Sequence, residues 1–151
     1  MTTPQAAQAR RRDWLSVLTR APTEDLEACA GRAGPLPPVE TVRRAEVGMV
    51  MLRGRVGGTG DAFNLGEASL TRCAVRLGGT LGVGYVLGRD RRKAELVALF
   101  DALLQDEQRH PAWMREVVEP LRERQQRERG AASRAAASSR VDFFTMVRGE
   151  A

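Results

Sequence analysis

Histidine and cysteine are scarce in this 151-residue sequence. It has a single histidine, His110, and two cysteines, Cys29 and Cys73, which form no CxxC pair. A structural zinc site needs about four Cys or His ligands, which three scattered residues cannot supply. A Ser-His-Asp or Cys-His arrangement cannot be assembled from them either. The sequence therefore predicts no catalytic residue, no bound cofactor and no metal site in this chain.

Long apolar runs are also missing. No stretch approaches the ~20 residues that a membrane-spanning helix needs. Residues 1–12 are polar and rich in arginine, without the apolar stretch of a secretory signal. We therefore expect a cytoplasmic protein in which both thiols are reduced.

Lysine is almost absent, since Lys93 is the only one, and nearly all the positive charge is arginine. The net charge of +5 allows an alternative hypothesis, that the chain is a basic nucleic-acid-binding protein. Most arginines are interleaved with Glu or Asp, however, and aromatic residues make up only 5% of the chain. A basic patch with interleaved aromatic side chains is not visible, so nucleic acid is the minor hypothesis.

Helical periodicity and turn residues predict helices at both ends of the chain. Residues 5–19 form the first predicted helix, and a second begins at Thr23, a candidate cap, and stops at Gly31. A later helix begins at Asp90, which caps it, and is predicted to run to about Gln108. His110 directly precedes a proline, where a helix-capping role is favoured.

Strand patterns fill the middle of the chain. Predicted strands cover residues 46–56, a short run at 63–65 ended by Gly66, and residues 67–77. Gly78-Gly79 is typical of a tight hairpin turn, and the strand that follows has a glycine-lined face able to admit another backbone closely. The predicted fold class is α+β: an antiparallel β-meander of three to four strands, covered by helices on one face.

A glycine-rich turn at residues 57–60 allows two interpretations. Backbone N–H groups in such turns bind anions, which suggests a phosphate site and an independent nucleotide-binding protein. A P-loop requires a Gly-Lys-Ser/Thr ending, which is absent, so a wide turn between strands is favoured. Three arginines on or near the strands could bind a phosphate group; they are Arg72, Arg76 and Arg89. Glu67 could instead pair with an arginine across the sheet.

The C-terminal part of the chain is the least usual. We divide the chain into a core domain at 1–121, a polar arm at 122–140 and an apolar, strand-like segment at 141–151. Pro120 is predicted to interrupt or restart a helix just before the arm. The terminal segment either folds back onto its own sheet or docks on a partner by strand addition or exchange.

Three stretches together resemble one known family. They are residues 140–149 (RVDFFTMVRG), the glycine turn with the following strand at 55–72, and the strand-to-helix passage at 85–105. In this order they resemble the PhnG family, subunits of the bacterial carbon–phosphorus lyase core complex. The resemblance extends over roughly residues 10–149.

The resemblance implies a role in phosphonate breakdown during phosphate starvation. Members assemble with PhnH, PhnI and PhnJ, with PhnI the most direct partner. Together with PhnL, the complex transfers a phosphonate to the ribose of ATP and releases adenine, giving ribose 1-methylphosphonate 5-triphosphate. An iron–sulfur cluster and S-adenosylmethionine act on PhnJ. The resemblance carries over no catalytic residue to this chain, which is expected to be inactive by itself.

Two sets of residues are predicted to contact partners. The first, in the terminal segment, is expected to hold the chain to PhnI; it comprises Val141, Phe143, Phe144, Met146, Val147 and Arg148. The second is expected to face the partner subunit or its substrate channel; it comprises Gly57, Gly58, Gly60, Glu67 and Arg72.

Overall fold

The computed structural model describes residues 4–139. The terminal segment with its predicted docking residues, from Val141 to Arg148, lies outside the described residues. The elements in chain order are α1 (Pro4–Leu18), α2 (Thr23–Arg32), β1 (Val39–Arg55), β2 (Ala62–Leu77), β3 (Thr80–Leu87), α3 (Arg91–Leu104), α4 (His110–Trp113), a π-helical turn (Met114–Val118) and α5 (Glu119–Ser138).

The three strands form one antiparallel sheet in the order β1-β2-β3, which confirms the predicted meander. Gly78 and Gly79 join β2 to β3 with φ angles of 53° and 91°. Positive φ at both central residues is what the type I′ form of a two-residue hairpin turn needs, and glycine adopts it without strain. Leu77 then pairs with Thr80, and the register continues without a break to Leu70 opposite Leu87.

Helix α3 lies on the glycine-lined face of β3. A Cβ atom at Gly82 would be 2.0 Å from the Ala98 carbonyl oxygen, so the helix backbone touches the strand directly. The close neighbour predicted for this face is thus a helix of the same chain. The buried β2 side chains on this face, such as Cys73 and Val75, complete the core with the apolar side of α3.

At the free edge of β3, one backbone N–H is hydrogen-bonded to a buried carboxylate. Asp101 of α3 is fully buried, and one of its oxygens accepts a hydrogen bond from the Val83 backbone N–H at 2.9 Å. The same carboxylate accepts from the Trp14 indole N–H at 3.0 Å and from the Arg11 guanidinium at 2.6 and 3.1 Å. A buried charge is tolerated only when it is paired and hydrogen-bonded. This contact fixes α1 beside the sheet.

Strands β1 and β2 extend well beyond β3. The last pair between β2 and β3 is Leu70 with Leu87, whereas β1 and β2 remain paired as far as Arg55 with Ala62. We call the two-stranded extension, residues 49–69, the β-arm. Its seven β1 residues alone span about 23 Å at ~3.3 Å per residue.

The helical region after α3 crosses a proline without ending. The π-helical turn ends immediately before α5, in which Pro120 occupies the first turn. Proline lacks the N–H that a regular helix would use, and the wider turn accommodates it. Helix α5 then runs to Ser138, so the segment predicted as a polar arm is helical as far as it is described. The predicted division at residue 121 stays an interpretation.

Several predicted boundaries are wrong. Strand β1 begins at Val39, well before residue 46, and β2 runs through Gly66 because Leu65 forms a bulge there. Helix α2 passes Gly31 to end at Arg32, and the Thr23 hydroxyl donates to Asp90 and caps nothing. Asp90 does cap α3 by accepting from the Lys93 N–H at 2.9 Å, but this helix ends at Leu104.

Candidate partner-docking surface

The glycine turn at residues 57–60 forms the tip of the β-arm. Val56 to Gly58 make a single 3-10 turn, and the Gly60 N–H donates to the Val56 carbonyl at 2.8 Å. Because the turn leads into β2, no helix begins there to add its positive end to an anion site. The favoured interpretation, a wide turn between two strands, is therefore confirmed.

Arg72 lies on the face of the sheet opposite the helices, which we call the outer face. Its Nε donates to Glu46 of β1 at 2.8 Å. The Arg72 guanidinium beside Glu46 holds the pKa of that carboxyl below its usual range. Arg76 pairs with Glu40 in the same way at 3.3 Å. Two arginines of the phosphate hypothesis are thus engaged by acids across the sheet.

Glu67 lies on the other face of the sheet. It is opposite Met51 in the β1–β2 register, whereas Arg72 is opposite Glu46. Among the ion pairs of residues 4–139, none involves Glu67, so the cross-sheet pairing considered for it does not form. Ala62 and Arg72 are ten positions apart on β2, about 33 Å at ~3.3 Å per residue. The structure therefore does not bring Arg72, Glu67 and the turn into a single site, and their role in partner contacts stays a prediction.

The outer face is apolar over much of its length, and no helix within residues 4–139 covers it; α1 only borders its β3 edge, where it lines a cavity with Val83 and Tyr85. Leu87 of β3 is 63% exposed and Leu65 of the β-arm 65% exposed. The strand register places further apolar side chains between and beside them, the exposed ones on β3 and the arm, the half-buried ones on β1 and β2; they are Leu81, Tyr85, Phe63, Val50, Leu52 and Leu70. A continuous exposed apolar face of this kind marks an interaction site.

The arm has apolar side chains on its other face as well. Met49 and Met51 are 62% and 47% exposed on the side of the sheet that carries the helices. Isolated two-stranded ribbons are only marginally stable in water. An arm that exposes apolar groups on both faces gains stability when another surface covers it.

The one histidine and the two cysteines have structural surroundings. His110 Nδ1 is 2.7 Å from the Leu104 carbonyl oxygen in the last turn of α3, and its ring packs on Trp14 at 5.3 Å. The predicted cap at the start of the helix that follows is wrong, because His110 is itself the first residue of α4 and Arg109 occupies the cap position without a side-chain bond. Burial raises the pKa of both the Cys29 and the Cys73 thiol, which makes them poor nucleophiles.

No group of three His, Cys, Asp or Glu side chains within the described part of the chain could hold a metal ion. Over the same residues, none of the helices is long and apolar enough to cross a membrane. The residues that the structure does bring together, such as Arg11, Trp14 and Asp101, are buried contacts of the fold.

Comparison with known proteins identifies the family. The model of the family described as "Phosphonate metabolism protein PhnG" matches residues 9–149. The chain belongs to the PhnG family. It is 43% identical over 150 residues to a curated protein from Rhizobium meliloti (strain 1021). The aligned region covers 99% of this chain and 96% of the relative. That relative is named alpha-D-ribose 1-methylphosphonate 5-triphosphate synthase subunit PhnG.

The PhnG match extends over every element that forms the candidate surface. Residues 9–149 include the β-arm, the whole sheet, helix α5 and the terminal segment as far as residue 149. The resemblance found in the sequence is thereby confirmed. Sequence patterns missed Asp101, the residue that fixes α1 against the sheet, although a charged side chain on the apolar stripe of a helix was a visible signal.

Proposed function

We propose that this chain is a non-catalytic, activity-supporting subunit of an alpha-D-ribose 1-methylphosphonate 5-triphosphate synthase. In this role it supports transfer of a phosphonate to the ribose of ATP with release of adenine, in phosphonate catabolism. The observation that carries the proposal is the exposed apolar outer face, from Leu87 along the sheet to Leu65. The 43% identity to a synthase subunit over nearly the full chain supports the assignment of the complex.

The outer face supports the role of a subunit because its area is apolar, continuous and long. Burial of apolar surface stabilises an interface by roughly 25 cal/mol per Å² before the costs of association. The Arg72–Glu46 pair lies within the same face and provides a polar, directional element beside it. An apolar centre with a polar rim is the usual composition of a permanent interface.

The non-catalytic part of the proposal follows from the side chains at hand. The thiols are buried and protonated, and the His110 ring is packed between Trp14 and the end of α3. We propose that other subunits hold the cofactors, including the iron–sulfur cluster and S-adenosylmethionine of PhnJ. Cytoplasmic location is part of the same proposal.

We propose PhnI as the most direct partner, with PhnH and PhnJ in the core complex and PhnL required for activity. The terminal segment from Val141 to Arg148 is proposed to add to the contact with PhnI. Its alternating apolar side chains suit pairing with a strand edge of another subunit.

Co-expression of the tagged chain with PhnH, PhnI and PhnJ from one organism tests the proposal. We expect a stoichiometric complex on affinity purification and sizing. Deletion of residues 141–151, or introduction of charge by Leu65→Asp with Leu87→Asp, is expected to remove the partners. The control Arg115→Asp adds an acidic group at another exposed position and is expected to retain them.

Two results would contradict the proposal. A well-folded wild-type chain that purifies without any of the three partners would show that it is no subunit of their complex. A full complex retained by both the deletion and the Leu65→Asp, Leu87→Asp variant would exclude the surfaces named here.

A further inference from the structure

Two backbone groups at the outer edge of β3 are hydrogen-bonded to side chains of the α3 region. The Leu81 carbonyl accepts from Gln105 Nε2 at 2.9 Å, and the Val83 N–H donates to the Asp101 carboxylate at 2.9 Å. Both groups therefore point away from β2, toward the free edge of the sheet. The edge is closed at this end of the strand.

The rest of the same edge is open. In an antiparallel strand every second residue directs both its N–H and its carbonyl to the same side. The Val83 carbonyl, both backbone groups of Tyr85 and the Leu87 N–H thus face the edge as well, and the unbroken register with β2 keeps them in line. Within residues 4–139 none of these groups makes a hydrogen bond. An open row of this kind is a template for pairing with another strand.

A groove runs between this edge and helix α1. Its volume is about 450 Å³, and Val83 and Tyr85 form one of its walls. The other wall consists of α1 side chains, namely Gln8, Arg11, Arg12, Leu15, Ser16 and Thr19. We call this space the edge groove. Room for a further chain therefore lies directly beside the open backbone groups of β3.

The opposite edge of the sheet, on β1, is less suited to pairing. The register of β1 with β2 shifts at three places, the first between Thr41 and Arg43 and the last between Leu52 and Arg53. Bulges bend an edge strand and interrupt its row of donors and acceptors. The regular strand β3 is therefore the edge better able to accept another strand.

The edge groove is positively charged. Two arginines and no acidic residue line it. Arg11 is paired with Asp101, whereas Arg12 is exposed and makes no ion pair within the described part of the chain. An acidic side chain on the occupant would complement Arg12.

We propose that an extended segment of a partner subunit adds to the sheet at the open edge of β3. Its backbone pairs with Val83, Tyr85 and Leu87, because an extended chain offers the alternating N–H and carbonyl groups that this edge requires. Its alternate side chains lie beside Tyr85 and Leu87 and continue the apolar outer face, while an acidic side chain meets Arg12. The inference rests on the proposed function, since the segment belongs to a partner subunit of the complex.

Amide hydrogen exchange tests the inference. It is measured by mass spectrometry at the level of single amides, for the full chain alone and for the complex with PhnH, PhnI and PhnJ. We expect the Tyr85 and Leu87 amides to exchange at least about a hundredfold more slowly after assembly. The Val47 amide is the matched control: its position opposite Thr71 turns it to the free edge of β1, and its exchange is expected to stay fast.

Substitutions at Tyr85 separate strand pairing from side-chain contact. Tyr85→Pro removes the N–H, which no bond within the sheet uses, and proline is tolerated on edge strands at such positions. Tyr85→Ala removes the ring and keeps the N–H. We expect Tyr85→Pro to bind the partners about tenfold more weakly than Tyr85→Ala, the effect of one unmade hydrogen bond. If circular dichroism shows that Tyr85→Pro does not fold, the exchange of the wild-type amides decides alone.

Charge reversal tests the acidic contact. Arg12→Glu is expected to weaken partner binding by about tenfold. The matched control, Arg10→Glu, reverses another exposed arginine of α1 that does not line the edge groove, and it is expected to leave binding unchanged. Equal effects of the two substitutions would contradict an acidic contact at Arg12.

The outcomes separate this inference from the proposed function. If the complex forms but the Tyr85 and Leu87 amides exchange as fast as before, only the inference fails. It also fails if these amides are already slow in the chain alone, because the chain itself or a second copy then occupies the edge. Equal weakening by Tyr85→Pro and Tyr85→Ala would show docking through side chains without strand pairing. If the wild-type chain does not assemble at all, both the inference and the proposed function fail.

Discussion

Gly84 of β3 lies directly beneath Ala94 of α3, so that a Cβ atom at position 84 would be only 2.1 Å from the Ala94 carbonyl oxygen. The obstacle is helix backbone, which cannot rotate away as a side chain could. Gly82 has the same relationship to Ala98 one turn further along the helix. The short distance between sheet and helix therefore depends on the absence of a Cβ atom at both Gly82 and Gly84.

We expect Gly84→Ala to lower the free energy of unfolding by about 2–3 kcal/mol, because α3 must move off the sheet to admit the methyl group. Urea unfolding of the purified chain measures the change. Gly48→Ala is the control: it is a strand glycine with no atom within 4 Å of its added Cβ, and its effect is expected to stay within about 0.5 kcal/mol. Equal effects of the two substitutions would show that the close contact does not constrain the fold.

Local sequence patterns are enough to predict the elements that depend only on residues close to them in the chain. The first helix, the Gly78-Gly79 turn and the cap at Asp90 each depend on a few neighbouring residues, and all three are present. Helix α5 carried a signal that went unused, since its Ala, Arg, Glu and Gln residues all favour helices. The sequence alone favours a polar arm there because the helix has almost no apolar stripe.

The candidate surface was harder to predict, because it depends on where other elements end. Alternation in β1 indicated that Val50 and Leu52 share a face, but not that the helices cover only the opposite face. The arm exists because β3 stops at Leu87 while β1 and β2 continue. Asp101 was missed for a related reason: its partners, Arg11 and Trp14, lie about ninety residues earlier in the chain.

Removal of the buried carboxylate is predicted to be costly. Asp101→Ala leaves the Arg11 guanidinium, the Trp14 indole and the Val83 N–H without their acceptor, and we expect a loss of about 3 kcal/mol in the free energy of unfolding. Glu107→Ala, at an exposed position three residues beyond α3, serves as the control and is expected to have almost no effect. A double-mutant cycle with Arg11→Ala measures the coupling, and additive losses would contradict a shared contact.

Asp90 is predicted to titrate below the ordinary range of an aspartate. The hydrogen bond from the Thr23 hydroxyl, followed by that from the Lys93 N–H, holds the pKa of the Asp90 carboxyl down. A carboxyl with a lower pKa in the folded state stabilises the fold above its unfolded pKa, and this contribution is lost as the pH falls through the folded pKa. In Thr23→Val we expect the Asp90 pKa to rise toward its ordinary value, as measured by NMR titration.

The control for the Asp90 titration is Thr80→Val, a threonine substitution at the start of β3, distant along the fold from the α2–α3 contact. It is expected to leave the Asp90 pKa unchanged. An Asp90 pKa that stays low in Thr23→Val would show that the backbone N–H groups at the start of α3, and not Thr23, lower it.

The substitution Arg72→Ala is predicted to affect the activity of the assembled complex more than the stability of this chain. The pair between Arg72 and Glu46 joins two half-exposed side chains, so Arg72→Ala is expected to cost at most about 1 kcal/mol in unfolding free energy. If the outer face meets a partner subunit, the same substitution lowers the activity of the assembled complex, because a desolvated Glu46 is left without its partner charge. Arg76→Ala, which breaks the analogous pair with Glu40 nearer the end of the sheet, is the matched comparison. Normal activity in Arg72→Ala would place Arg72 outside the interface, whereas a large loss of stability would show that the pair supports the fold of this chain.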